Sequence, residues 1–301
     1  MGYAIKTENL VKRYKDKTAV AGLTLEVKEG ELIALLGVNG AGKTTTVKML
    51  TCLTKPTEGR AEIMGCDVVK DSSDVKRLVG ISPQDTSVAE NLTVKENLEF
   101  MADLYLSKEK ARSSVERTIK AFGLEEFSDK KAKLLSGGYK RKLSIAMAII
   151  GEPKVLFLDE PTLGLDVLAR RQLWREIEAL KENMTIVLTT HYMEEAQALA
   201  DRIVIMTEGN VKAIGTLEEL ENMTGRKGLE DVFVSIAERM EQGDQDNEKN
   251  NGICKKKSYR SLQRSVKLDL LHRIPDRNAD NNVHSKFSNS EGSRQHSLQD
   301  R

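Results

Sequence analysis

The absences in this chain narrow its character before any motif is read. No uninterrupted apolar stretch approaches the roughly 20 residues that a membrane-crossing helix requires. One of the longest, "SIAMAIIG" at Ser144–Gly151, is far shorter, so the chain is expected to be soluble by itself. Cys52, Cys66 and Cys254 are odd in number and show no C-x-x-C spacing, which fits a reduced cytosol better than a disulfide framework. His191, His272, His284 and His296 are scattered, away from any cysteine or carboxylate cluster at metal-ligand spacing, and no zinc site is expected. The opening "MGYAIKTENLVKRY" has no apolar leader and carries Lys6 where a myristoylation motif wants Ser or Thr, so the mature chain is expected to start there. Neither sign of charge dominates: 47 basic against 46 acidic residues leave a formal +1. No global field therefore marks nucleic acid as the main partner.

What is present is ample. A length of 301 residues suffices for one large domain or two modest ones. From Ile5 to about Pro83 the pattern is strand-rich: "LTLEV", the turn Lys28-Glu29-Gly30, then the apolar run "ELIALLG" that reads as a buried strand. Between Asp85 and Gly151, "LTVKENLEFMADLYL" and "KARSSVERTIKAFGL" space their apolar residues by three and four, which predicts a helical insert. Strand patterns return in "KVLFLDEP", "MTIVLTTH" and "DRIVIMTEG", separated by helical segments, and that alternation predicts a largely parallel α/β core. The helix "LARRQLWREIEALKEN" places Leu173, Ile177 and Leu180 on one face, with Trp174 read as packing.

After about Glu241 the composition turns to Asn, Asp, Gln, Ser and Lys, too polar to offset chain entropy by burial, and a mostly disordered tail over 241–301 is expected. Within it, "KSYRSLQRSVKLDLLHRI" spaces Leu262, Val266 and Leu270 among Arg260, Arg264 and Lys267. That stretch reads either as a basic amphipathic helix for a membrane surface, or as a solvated tail, or as sequence appended by a shifted reading frame.

Chemistry is carried by two motifs. "GVNGAGKT", Gly37 to Thr44, matches G-x-x-x-x-G-K-[ST] between a buried strand and a helix. Its glycines admit backbone N–H groups to phosphate oxygens, Lys43 reaches the β and γ phosphates, and Thr44 offers a hydroxyl to Mg²⁺. "VLFLDEPT" ends an apolar strand in two adjacent acids: Asp159 suits Mg²⁺, and Glu160 suits a general base for an attacking water. Alone, two such acids are as often a helix cap or a salt-bridged edge; beside the phosphate loop the functional reading prevails.

With these elements in order, the chain from about Ile5 to Met240 resembles the ATP-binding subunit of an ATP-binding cassette (ABC) transporter. The resemblance extends to Tyr14 as an adenine-stacking aromatic, Gln84 in "ISPQD" as the Q-loop, "LSGGY" as the signature, "GLD" at Gly164–Asp166 as the D-loop and His191 in "TTHYMEEA" as the switch histidine. It implies a P-loop NTPase fold of the α/β class over residues 1–240: a core with a parallel sheet, an N-terminal antiparallel β region and a helical subdomain at about 85–151. It also implies that ATP and Mg²⁺ are bound. Gly37, Asn39, Gly40, Ala41, Gly42, Lys43, Thr44 and Thr45 would hold the nucleotide, and Thr44, Gln84 and Asp159 the metal. Glu160, His191, Lys43 and Gln84 would serve hydrolysis.

In this family two ATPase subunits meet head to tail, so the second glycine loop, Ser136, Gly137 and Gly138, would face the partner's γ-phosphate at a helix start. The neighbouring Lys140, Arg141 and Lys142 are expected mostly on a solvated basic face. Tyr139 stands in place of the more usual Gln, and Val38 in place of a frequent Pro. The resemblance is strongest to separate ATPase subunits of ABC-2, multidrug or antibiotic exporters. It implies an integral-membrane permease partner, a site on the cytoplasmic face of the cell membrane, and no nucleic acid. The rival classes are an ABC ATPase acting on nucleic acid or ribosomes, and a non-hydrolysing regulatory module.

Overall fold

A computed structural model describes residues 2–15 and 17–237. The chain divides into a unit over Met1–Asn247 and another over Glu248–Arg301. The polar tail, its amphipathic stretch and Cys254 lie outside the described residues.

In chain order the first elements are β1 (Tyr3–Tyr14), β2 (Lys17–Lys28), β3 (Leu32–Leu36), α1 (Lys43–Leu50), β4 (Glu58–Ile63), β5 (Cys66–Asp67), α2 (Ser72–Leu78) and β6 (Val79–Ser82). Three helices follow: α3 (Val94–Tyr105), α4 (Lys108–Ala121) and α5 (Gly137–Ile149). Then come β7 (Val155–Asp159), α6 (Val167–Leu180), β8 (Thr185–Thr190), α7 (Met193–Leu199), β9 (Arg202–Thr207), β10 (Asn210–Gly215) and α8 (Leu217–Thr224). A last helical stretch covers 229–237.

The strands form two sheets. One is antiparallel, in the order β2-β1-β4-β5; the other runs β10-β9-β3-β8-β7-β6 and is parallel from β9 through β6, with β10 antiparallel at its edge. Each central strand is covered on both faces, which is why "LIALL" and the "VLFL" of β7 read as unbroken apolar runs. Successive residues of β3 go to opposite cores: Leu32, Ala34 and Leu36 pack with α3–α5, while Ile33 and Leu35 pack with α1 and the antiparallel sheet. β7 divides in the same way, with Leu156 and Leu158 to the first core and Val155 and Phe157 to the second.

The helical insert appears where the spacing predicts it. α3 starts at a capping box in which Thr93 accepts from the Glu96 amide and Glu96 accepts from the Thr93 amide. α6 buries Leu173 and Ile177, and its first turn is capped by Asp166, which accepts from the amides of Leu168 and Ala169 at 2.9 Å each. Asp166, expected in the D-loop, therefore caps a helix in this structure.

Candidate functional site at the carboxyl edge of the parallel sheet

Parallel strands end side by side, and here their register sets the site. Leu36 lies opposite Thr190, Asp159 opposite Thr189, and Ser82 opposite Leu158. Just beyond these ends come Gly37–Thr45 after β3, Gln84 after β6, Glu160 after β7 and His191 after β8. In open α/β sheets this edge is where ligands bind.

The phosphate loop is pinned at its base and open at its tip. The Gly37 amide donates to Thr190 O at 3.3 Å, and the Ala41 amide to Val38 O at 3.1 Å. Asn39 and Gly40 are exposed, whereas Ala41 and Lys43 are buried. Gly42 takes φ 101°, and a Cβ there would meet the Ala19 carbonyl at 2.5 Å, so only glycine lets β2 approach the start of α1. The Lys43 ammonium donates to Gly37 O at 2.6 Å and sits 3.6 Å from Glu160 Oε1. Burial pulls its pKa below the usual lysine value, against the opposing pull of the Glu160 and Asp159 carboxylates.

The acids form a compact cluster opposite the loop. Thr44 Oγ1 donates to Asp159 Oδ1 at 3.2 Å, and the Thr189 hydroxyl donates to the same oxygen. Glu160 turns out of β7 in the left-handed region at φ 47°, a conformation that costs about 1–3 kcal/mol for a residue with a Cβ and so must be held by its surroundings. Its amide donates to Thr189 O at 3.0 Å and to Thr189 Oγ1 at 3.1 Å. Its carboxylate is buried, with Oε2 3.1 Å from His191 Nδ1. Burial pushes the carboxyl up, but His191 and Lys43 together outweigh it and hold the pKa below the ordinary glutamate value. Glu160 is therefore ionised at neutral pH, the state a general base needs.

Other expected residues stand apart from this cluster. Tyr14 is 45% exposed at the end of β1, under the Lys12 ammonium at 5.0 Å. Gln84 is exposed, and its carbonyl accepts from Arg141 at 3.3 Å. Ser136 and Gly137 are exposed at the start of α5; Ser136 Oγ accepts from the Tyr139 amide only at 3.5 Å. Gly138 lies near α6, where an added Cβ would come 3.8 Å from the Ala169 Cβ. Tyr139 packs on Phe127 with ring centroids 4.2 Å apart.

The expected solvated basic face on α5 is corrected. Arg141 is 4% and Lys142 6% exposed. Lys142 pairs with Glu176 of α6 at 2.6 Å, Lys140 reaches Glu90 at 2.8 Å, and Arg141 spends its donors on backbone carbonyls. Arg141 and Lys142 face inward because β7, α6 and the loop after β6 pack against their side of the helix. Sequence reasoning also missed Thr189, whose hydroxyl joins Asp159 to the Glu160 amide; the doubled threonine before His191 was the available signal. Trp174 packs as expected and also donates to Glu195 Oε1 at 3.2 Å.

The donor set suits a nucleoside triphosphate with magnesium. Thr44 and Asp159 offer hard oxygens side by side, the chemistry Mg²⁺ selects. At Gly40, which takes φ 86°, a Cβ would meet nothing within 4 Å, so the tip of the loop that leads into α1 is open.

The model of the family described as ABC transporter matches residues 20–163. The daunorubicin/doxorubicin resistance ATP-binding protein DrrA of Streptomyces peucetius is 44% identical over 228 residues, which are 75% of this chain and 69% of that protein. The chain belongs to the ABC transporter family. The human phospholipid-transporting ATPase ABCA3 is 45% identical over 217 residues, 70% of this chain but only 13% of that protein, so this chain spans about an eighth of its length. Among solved structures, an ATP-binding subunit of an ABC transporter superposes with a TM-score of 0.72 at 31% identity, covering 78% of this chain and 99% of that one. An ATP-binding cassette solved as a dimer in a post-hydrolysis state with ADP and Pi gives a TM-score of 0.65 at 28% identity, over 71% of this chain and 98% of that one. The chain is thus an ABC ATP-binding unit in sequence and in fold. Among the described residues, no helix is long and apolar enough to cross a membrane.

Proposed function

We propose that this chain is the ATP-hydrolysing subunit of an ABC exporter, working with a separate integral-membrane permease at the cytoplasmic face of the membrane. Its ATPase domain would extend over about 1–240 and pair head to tail with a second ATPase subunit. The observation that supports hydrolysis best is the buried Glu160 carboxylate, flanked by His191 Nδ1 at 3.1 Å and the Lys43 ammonium at 3.6 Å. A module that only bound nucleotide would need no carboxylate held in that position. The export reading leans on DrrA, whose name describes drug resistance.

In this reading Lys43 leaves its contact with the Gly37 carbonyl to meet the β and γ phosphates, and the loop amides hold their remaining oxygens. Thr44 and Asp159, with help from Gln84, would hold Mg²⁺, which would supply positive charge to offset that of the triphosphate. Glu160 Oε1 accepts a proton from the attacking water. His191, beside Oε2, keeps the carboxylate in place and close to the γ-phosphate. Tyr14 would stack on adenine at the open edge, while Ser136, Gly137 and Gly138 would complete the partner's site.

Replacing Glu160 by Gln keeps shape and removes the base, so ATP turnover by the purified chain should fall about 10²- to 10⁴-fold with ATP binding retained. Turnover unchanged in Glu160→Gln would remove the base assignment. Co-purification of the native chain with an integral-membrane protein tests the permease partnership, and its absence from detergent extracts would count against it.

A further inference from the structure

We propose that Arg141 is a positioning residue: from inside α5 it holds the backbone on both sides of Glu160 and ties it to the backbone at Gln84. The guanidinium is buried, with 4% exposure. Its Nη2 donates to Asp159 O at 2.8 Å and its Nε to Pro161 O at 2.8 Å, so the two carbonyls that flank Glu160 are gripped by one rigid fork. Its Nη1 donates to Pro83 O and to Gln84 O. One side chain therefore joins three segments: the helix that begins at the second glycine loop, the turn that carries the base, and the segment that follows β6.

The chemistry of this contact is particular. The acceptors are neutral carbonyls, which need donors in fixed directions, and the planar guanidinium with five N–H groups supplies them where an ammonium cannot. Burial pulls the guanidinium down to about 10, while the Asp159, Glu195 and Glu160 carboxylates oppose the fall, so Arg141 keeps its charge at neutral pH. The turn it grips needs restraint, because Glu160 sits at φ 47°, where a residue with a Cβ relaxes unless its neighbours prevent it. Thr189 fixes the Glu160 amide from one side; Arg141 fixes the carbonyls before and after from the other. The carboxylate is then aimed by two independent anchors, and a shift of about 1 Å at a catalytic group is enough to lower rate about 10²-fold.

This inference rests on the reading of Glu160 as the base, and the experiment separates the two. Arg141→Lys keeps a buried cation, and Arg141→Gln keeps a neutral donor; neither spans both carbonyls. In nucleotide-free protein, amide hydrogen exchange in the peptide covering 160–163, where the Glu160 and Leu163 amides are bonded, should quicken by about tenfold or more, with the phosphate-loop peptide 39–45 unchanged. In turnover assays kcat should fall about tenfold or more with ATP affinity altered less than twofold, and Arg141→Lys should add no further loss in the Glu160→Gln background. Exchange unchanged in both variants overturns the clamp. Faster exchange throughout the chain, failure of both variants to fold, an equal loss of ATP affinity, or an additive loss on top of Glu160→Gln makes Arg141 a general structural residue and overturns the proposal as well. A wild-type chain that binds ATP without turning it over overturns the base assignment and its positioning together, whereas an active wild type with Arg141 variants that exchange and turn over as it does overturns only this inference.

Discussion

Lys43 is held by the Gly37 carbonyl and the Glu160 carboxylate at the same time, so its replacement has two consequences. Lys43→Ala removes the cation expected on the β and γ phosphates and should abolish productive ATP binding while the fold stays intact. It also removes one of the two groups that hold Glu160 below its ordinary pKa. Calorimetric titration with ATP is the direct measure; affinity and turnover equal to wild type would show that the loop does not bind the phosphates. At this scale the sequence was most informative about residues with a fixed local spacing, such as Gly42, Lys43 and Thr44. It was least informative about Thr189, whose hydroxyl matters only because register sets it opposite Asp159.

Between elements, the contact of α5 with α6 carries the most testable energetics. Lys142 and Glu176 form an ion pair with side-chain exposures of 8% and 14%, and burial raises the Glu176 pKa against the pull of Lys142. A buried pair is weak evidence for net stability, but breaking it leaves one polar group stranded. Lys142→Met should therefore destabilise the domain by about 3 kcal/mol, and the double change Lys142→Met with Glu176→Leu should recover most of that. Urea unfolding midpoints decide it, and equal losses in the single and double variants would refute the coupling. The elements themselves were largely legible: α3 from its apolar spacing, and β3 and β7 from apolar runs of five and four. The inward turn of "YKRK" was not, because partners such as Glu176 and the Asp159 carbonyl lie 34 and 18 positions away, beyond any periodicity that one helix can display.

For the whole molecule, two predictions concern assembly and extent. If the second glycine loop acts on the partner's nucleotide, Glu160→Gln should run as a dimer in size-exclusion chromatography with ATP and Mg²⁺. Adding Ser136→Arg should return it to a monomer, since a long side chain at the exposed start of α5 blocks the approach. A double variant that dimerises as well as Glu160→Gln would show that this loop does not act in trans. Deletion of 242–301 should leave ATPase activity nearly unchanged, because the expected site residues run from Tyr14 to His191. A flotation assay with anionic liposomes checks the alternative: a full-length chain that floats, beside a truncation that does not, would assign the basic stretch a membrane role.

The sequence by itself determined the α/β class, the phosphate loop after a buried strand, the helical insert and the order of the motifs. Those features are written in local sequence: short apolar runs for the central strands, spacings of three and four for helices, and glycines at fixed offsets from a lysine. Only the tertiary structure decided which polar side chains face inward and what they hold. Arg141 and Lys142 look like a solvated face in one dimension and are buried in three. The physical reason is that a charged group can leave water only where partners converge on it, and the carbonyls of Pro83, Asp159 and Pro161 converge on Arg141 only once β6, β7 and α5 are packed together.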